Sequence, residues 1–178
     1  MEAVELKSYL IQKFLEWFDG QRKLYLPKAR FFSKEEKSLL EKYFEKRIID
    51  SVGVAMVEHI SNPEFYGELT EQGLPIPLDF SEAAALTLID CILLRKIPWH
   101  SFSSQISIIF HEMVHVVQID ILGLEKMAEL YLSSLLRNGY SNVPFEKQAD
   151  ILTSRFTKGE SFLVEEVVKQ ELKQIGSF

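Results

Sequence analysis

An α+β fold, mostly helical and with a small β-sheet packed against one buried helix, is what the sequence predicts on three observations. Residues Ile106–Leu122 are apolar nearly all the way round, the mark of a helix inside a core. Several other stretches repeat apolar residues at helical spacing between capping residues or breakers. Only two stretches, Ile48–Ile60 and Leu86–Leu94, are rich in β-branched and aliphatic residues bounded by turn formers. With 178 residues, 47% hydrophobic and 12% aromatic, the chain suits a single domain spanning 1–178 with a sizeable core.

Charge and cysteine narrow the function classes. A net charge of -6 without a basic stripe argues against nucleic acid as a partner. The single cysteine, Cys91, cannot form an internal disulfide, which fits a reducing compartment. The acidic opening Met1-Glu-Ala-Val-Glu lacks the pattern of a secretory signal, and Asp90 interrupts the apolar run Ala83–Leu94, too short for a bilayer span. The expectation is a cytoplasmic protein with no membrane segment.

In chain order, Val4, Ile11, Phe14, Leu15 and Phe18 predict an amphipathic helix over 3–19 that ends near Gly20. Gln21–Phe32, with Pro27, Arg22, Lys23, Lys28 and Arg30, reads as a solvated loop. Ser33 with Glu36 three residues on is a capping box, which starts a helix running to about Phe44. A strand follows in Ile48–Ile60, closed by Ser61-Asn-Pro63, with His59 near the turn as a solvent-facing or backbone-bonded histidine. Residues 61–80 hold Pro63, Gly67, Gly73, Pro75 and Pro77 and predict a long loop beside a cleft. From Leu86 to Leu94 the chain reads as a strand, with a second short helix as the competing reading, and Pro98-Trp-His100 as a turn. Ser101, Ser103 or Ser104 then caps the long apolar helix. Gly123 ends that helix, a second runs from Leu124 to about Arg137 and stops at Asn138-Gly139, and Pro144 opens a third. Gly159 closes it, and Ser161 caps a last helix carrying Phe162, Val164, Val167, Val168, Leu172 and Ile175.

The chemistry concentrates in His111-Glu-Met-Val-His115. Residues four apart share a helix face, so His111 and His115 can aim two imidazoles at one cation, with Glu112 beside them near a water. Unpaired, these polar groups in a buried helix would cost several kcal/mol, a penalty that a bound metal removes. The plainer alternative has both histidines hydrogen-bonded to backbone or to Glu112. A hydrolytic zinc takes three protein ligands and keeps a position for water. Phe145-Glu-Lys-Gln-Ala-Asp150 places Glu146 and Asp150 on one helical face, and the thirty residues 116–145 are long enough to return a carboxylate to the metal.

Over roughly Leu86–Phe156, the catalytic core, the chain resembles the gluzincin (thermolysin-like) zinc metallopeptidases, especially minimal bacterial H-E-x-x-H domains of uncharacterised type. The resemblance implies a zincin-like fold with zinc held by His111, His115 and Glu146. Asp150 would orient His111, and Glu112 would serve as general base toward metal-activated water. It also implies a tyrosine or histidine on the developing oxyanion, for which Tyr140 is the candidate; Tyr131, on the apolar stripe, reads as core. The strand before the motif helix would border the cleft and take up an extended peptide. His100 is a turn residue or an auxiliary proton donor. The expected function is a zinc-dependent peptidase acting on a peptide or protein substrate. Its rivals are a zinc-holding peptide-binding module without turnover, a metal-free helical scaffold, and a DNA-associated metalloprotease like the SprT group, disfavoured by the missing basic segments and third histidine. The spacer before Glu146 is longer than in thermolysin and the large flanking domains of that enzyme have no counterpart in this sequence, so no substrate specificity is implied, and the pattern leaves the oligomeric state open.

Overall fold

Gly20 does not end the first helix. In the structure, a computed structural model that describes residues 3–73, 76, 78–98 and 101–175, helix α1 spans Ala3–Tyr25 and stops at a 3-10 turn, Leu26–Lys28, that contains Pro27. A helical glycine costs only about 1 kcal/mol against alanine, whereas proline removes a donor and breaks the ladder. Leu10 and Phe14 bury the inner face of α1. Its last turn is pinned by Arg22, whose guanidinium grips the Asp90 carboxylate through two 2.6 Å bonds. The basic stretch that follows is thus not simply solvated, since Arg30 bridges to Val54 through its backbone and to Glu36 through two 2.7 Å bonds.

Helix α2 (Lys34–Leu40) opens on the capping box: Glu36 N–H donates to Ser33 Oγ at 3.2 Å and Ser33 N–H to Glu36 Oε2 at 2.7 Å. It ends short of Phe44, in a turn that buries Tyr43 and Phe44. The stretch expected as one strand divides into helix α3 (Lys46–Ser51) and strand β1 (Gly53–Val57). Lys46 and Asp50, a turn apart at 3.2 Å, favour the helix, and Ile48 and Ile49 are both buried under it. Gly53 is required by close approach, because a Cβ there would lie 2.7 Å from the Ala29 Cβ. The expected loop at 61–80 contains a short helix, α4 (Tyr66–Glu71), which Phe65, Tyr66 and Leu69 anchor in the core against Phe14.

The second expected strand is a hairpin. Strands β2 (Ala85–Leu88) and β3 (Cys91–Arg95) pair antiparallel around the two-residue turn Ile89-Asp90, and β3 pairs parallel with β1, giving the order β1-β3-β2. No Asn-Gly or Gly marks that turn; Ile89 sits at φ 62°, costly for a β-branched residue. Tertiary contacts hold it, since the Asp90 carbonyl accepts Gly53 N–H at 2.9 Å and its carboxylate holds Arg22.

Helix α5 (Phe102–Leu122) carries the motif. Ser101 caps it by accepting Ser104 N–H, and Gly123, at φ 80°, closes it. By length and composition α5 could cross a bilayer, yet 61% of its apolar window is buried inside the protein. It packs against β2 and β3 on one side and against the helices α6 (Leu124–Asn138), α7 (Pro144–Thr157) and α8 (Val164–Ile175). Phe110 stacks on Phe156 at 4.3 Å and 11°, with Tyr43 and Phe162 edge-on. Gly139, at φ 73°, ends α6, and Pro144 occupies the first turn of α7. Ser161 lies ahead of the start of α8 at Val164; there the Val164 N–H bonds to the Tyr43 carbonyl and Glu165 accepts the Glu45 N–H. The sequence-predicted turn residue His100 lies outside the described residues, and His59 is exposed.

Candidate metal centre

His111 and His115 stand one turn apart on α5; α6 carries the chain away and α7 returns it, with Glu146 in its first turn. The three side chains meet. Nε2 of His111 and Nε2 of His115 are 3.2 Å apart, and Glu146 Oε2 and Oε1 lie 3.5 and 3.6 Å from them respectively. Tetrahedral zinc with bonds of about 2.0–2.1 Å holds its donor atoms about 3.3–3.4 Å apart, close to the 3.2 Å between the two imidazole nitrogens, while Glu146 turns a different oxygen toward each ring. Two nitrogens and one carboxylate oxygen are also the donor set that zinc takes in open sites.

The electrostatics favour a cation. Burial alone would raise the Glu146 carboxyl, but hydrogen bonds with His111 and His115 prevail and hold it well below the usual carboxylate range. Burial likewise opposes charge on His115, yet the hydrogen bond and charge of Glu146 push it up to about 9. Glu112 adds its negative charge. Without a metal, the cluster draws a proton instead.

Glu112 stands apart from the three candidate ligands. It is buried, and its carboxylate accepts the Thr87 hydroxyl of β2 at 2.7 Å, with the Glu112 carbonyl 2.9 Å from the same oxygen. The histidines take other partners than Glu112. His115 Nδ1 lies 2.8 Å from Gln118 Oε1, and His111 Nδ1 lies 3.4 Å from Asp150 Oδ1. The Asp150 side chain is 74% exposed, so it reaches His111 from the solvent side.

Both tyrosines reach the triad. Tyr140 Oη donates to Glu146 Oε2 and Tyr131 Oη to Glu146 Oε1, each at 2.8 Å. Burial first, and Glu146 second, raise both phenols above their ordinary value. Tyr131 is therefore more than a core residue; a lone hydroxyl on the aliphatic stripe of α6 was its only sequence signal. Thr87 and Gln118 were equally hidden, the first because the hairpin was not visible, the second because glutamine on an apolar helix carries no motif.

A cavity of about 400 Å³ adjoins the cluster, with His111, Glu112, His115 and Glu146 in its wall. Phe14 from α1, Phe80, Leu86 of β2 and Met127 of α6 supply an apolar lining. The strand expected at the cleft is thus represented by β2 alone. Central β3 is paired on both edges and cannot accept another strand.

Comparison with protein-family models, with curated proteins and with solved structures finds no match in any of the three. A functional reading stands on the site itself.

Proposed function

We propose that this chain is a zinc-dependent peptidase of the zincin type, built like a gluzincin, with zinc held by His111, His115 and Glu146. The observation that carries the reading is the convergence of those three donors from α5 and α7 at zinc-ligand spacing while Glu112 remains outside the set. Zinc bound there would supply Lewis acidity, which polarises a carbonyl and makes water a nucleophile near neutral pH. Glu112, its carboxylate steadied by Thr87, takes a proton from the attacking water as the water oxygen bonds to the carbonyl carbon. As the C–N bond breaks, Glu112 passes that proton to the leaving amine. Tyr140, in the wall of the same cavity, would donate to the oxyanion on releasing its hydroxyl from Glu146. An extended peptide would lie along β2, with an apolar side chain in the neighbouring cavity. Cys91, a buried free cysteine, accords with a reducing, cytoplasmic setting.

A second reading, a zinc-holding peptide-binding module without turnover, draws on one observation: both tyrosine hydroxyls are engaged by Glu146. Metal analysis of the purified protein and cleavage of a peptide library separate the two. The expected outcome is stoichiometric zinc and cleavage beside apolar residues. Glu112→Gln should keep the zinc and lose about 10²–10⁴-fold in rate. Zinc without cleavage under all conditions supports the binding module, and retained activity in Glu112→Gln removes that residue from the chemistry.

A further inference from the structure

A chain of buried amides leads from His115 to the exposed Glu171 of α8. His115 Nδ1 faces Gln118 Oε1 at 2.8 Å; Gln118 Nε2 donates to the Phe145 carbonyl at 3.1 Å and to Gln148 Oε1 at 2.9 Å; Gln148 Nε2 donates to Glu171 Oε2 on α8 at 2.6 Å. Gln118 is fully buried and Gln148 nearly so.

The polarity of this chain follows from its fixed ends. A carbonyl and a carboxylate can only accept. Glu171 therefore takes the NH2 of Gln148, which turns the Gln148 oxygen toward Gln118. That oxygen and the Phe145 carbonyl both need donors, so the Gln118 NH2 faces them and its oxygen faces His115. An oxygen there demands a hydrogen on Nδ1, so when the ring is neutral, as a metal ligand must be, it is Nε2 that carries the lone pair, on the side of His111 and Glu146.

We infer that Gln118, Gln148 and Glu171 form a tautomer-setting relay, with Gln118 the positioning residue that fixes His115 as an Nε2 metal ligand. The inference rests on the zinc-site reading above. It gives α8 a part in the site beyond packing, because its Glu171 sets the direction of the relay, and it makes α7 a double contributor through Glu146 and Gln148. A neutral histidine without this partner spreads over two tautomers and two ring orientations, and loss of such an outer partner typically lowers metal affinity 10–100-fold.

The test measures zinc affinity by competition with a chromophoric chelator and reads the imidazole ¹⁵N and attached ¹H signals of zinc-loaded protein. Gln118→Met, close in shape but without hydrogen-bonding groups, should weaken zinc 10–100-fold. Gln118→Glu, which keeps the acceptor toward Nδ1, should stay within a few-fold of wild type even if less stable. Glu171→Ala, at an exposed site, keeps the fold and should cost several-fold. The His115 signals should show hydrogen on Nδ1 and metal on Nε2. Wild-type affinity in a folded Gln118→Met protein, or a proton on Nε2 of His115, overturns the relay while leaving the zinc site standing. Failure of the wild-type chain to bind zinc overturns both.

Discussion

Glu146 shows how much one side chain depends on its neighbours. Its two oxygens receive the hydroxyls of Tyr131 and Tyr140 and face both histidines. Tyr131→Phe keeps the ring and removes one donor to a buried carboxylate, so it should lower the stability of metal-free protein by about 1.5–3 kcal/mol; thermal melts check this. Glu165 presents the reverse case. It is 1% exposed, its Oε1 accepts the Glu45 N–H, and its Oε2 is buried without a hydrogen-bond partner among the described residues. Burial raises its carboxyl above the ordinary value of 4.5. With the folded value raised, the group favours the fold below the unfolded value and loses that contribution as pH climbs through the folded one. Glu165→Gln should therefore raise the melting temperature at pH 7.5, and the gain should disappear toward pH 4. A gain unchanged by pH would show that the charge is not the cause.

At the scale of elements, the site depends on helices that place polar groups on chosen faces and on a sheet held by contacts distant in sequence. Helix α5 supplies His111 and His115 to the cluster with Glu146, Glu112 to β2 and Gln118 to α7, four groups in two turns. The sheet has a weaker local warrant. Its hairpin turn contains Ile89 at positive φ, and β1 approaches Ala29 so closely that only glycine fits at 53. Gly53→Ala should destabilise the fold by about 1–3 kcal/mol through overpacking, measurable as a lower urea midpoint. A midpoint equal to wild type would mean that the Leu26–Arg30 segment yields without cost. The capping box at Ser33, the glycine stops at 123 and 139 and the proline start at 144 were all legible in the sequence, because each depends on chemistry within four residues. The division of Ile48–Ile60 into α3 and β1, and of Leu86–Leu94 into two strands, was not legible, since Ser51, Gly53 and Asp90 stand singly at the breaks and no Asn-Gly, Gly-Gly or Pro pair fixes a turn at either.

For the whole molecule, the proposed zinc site would link metal binding to folding. The ligands come from two helices separated by the full length of α6, so a cation held between them should stabilise the native chain only. At a hundredfold excess over its dissociation constant, zinc should add about 2.7 kcal/mol. In a chain of this size that is a rise of about 5–10 °C in melting temperature, reversed by chelator. His111→Ala should abolish the zinc-dependent rise; a rise that survives this substitution would place the ion elsewhere.

The sequence by itself determined the motif helix, its burial, and the candidate ligands His111, His115 and Glu146, because helical spacing and apolar flanks act over short range. The tertiary structure decided that Glu146 and both imidazoles meet at zinc-sized distances. It also decided that Thr87 rather than a histidine holds Glu112, and that Tyr131 and Gln118 belong to the site. Those partnerships join residues on different elements or depend on which way an amide turns, and such choices are made only when the helices and sheet have packed.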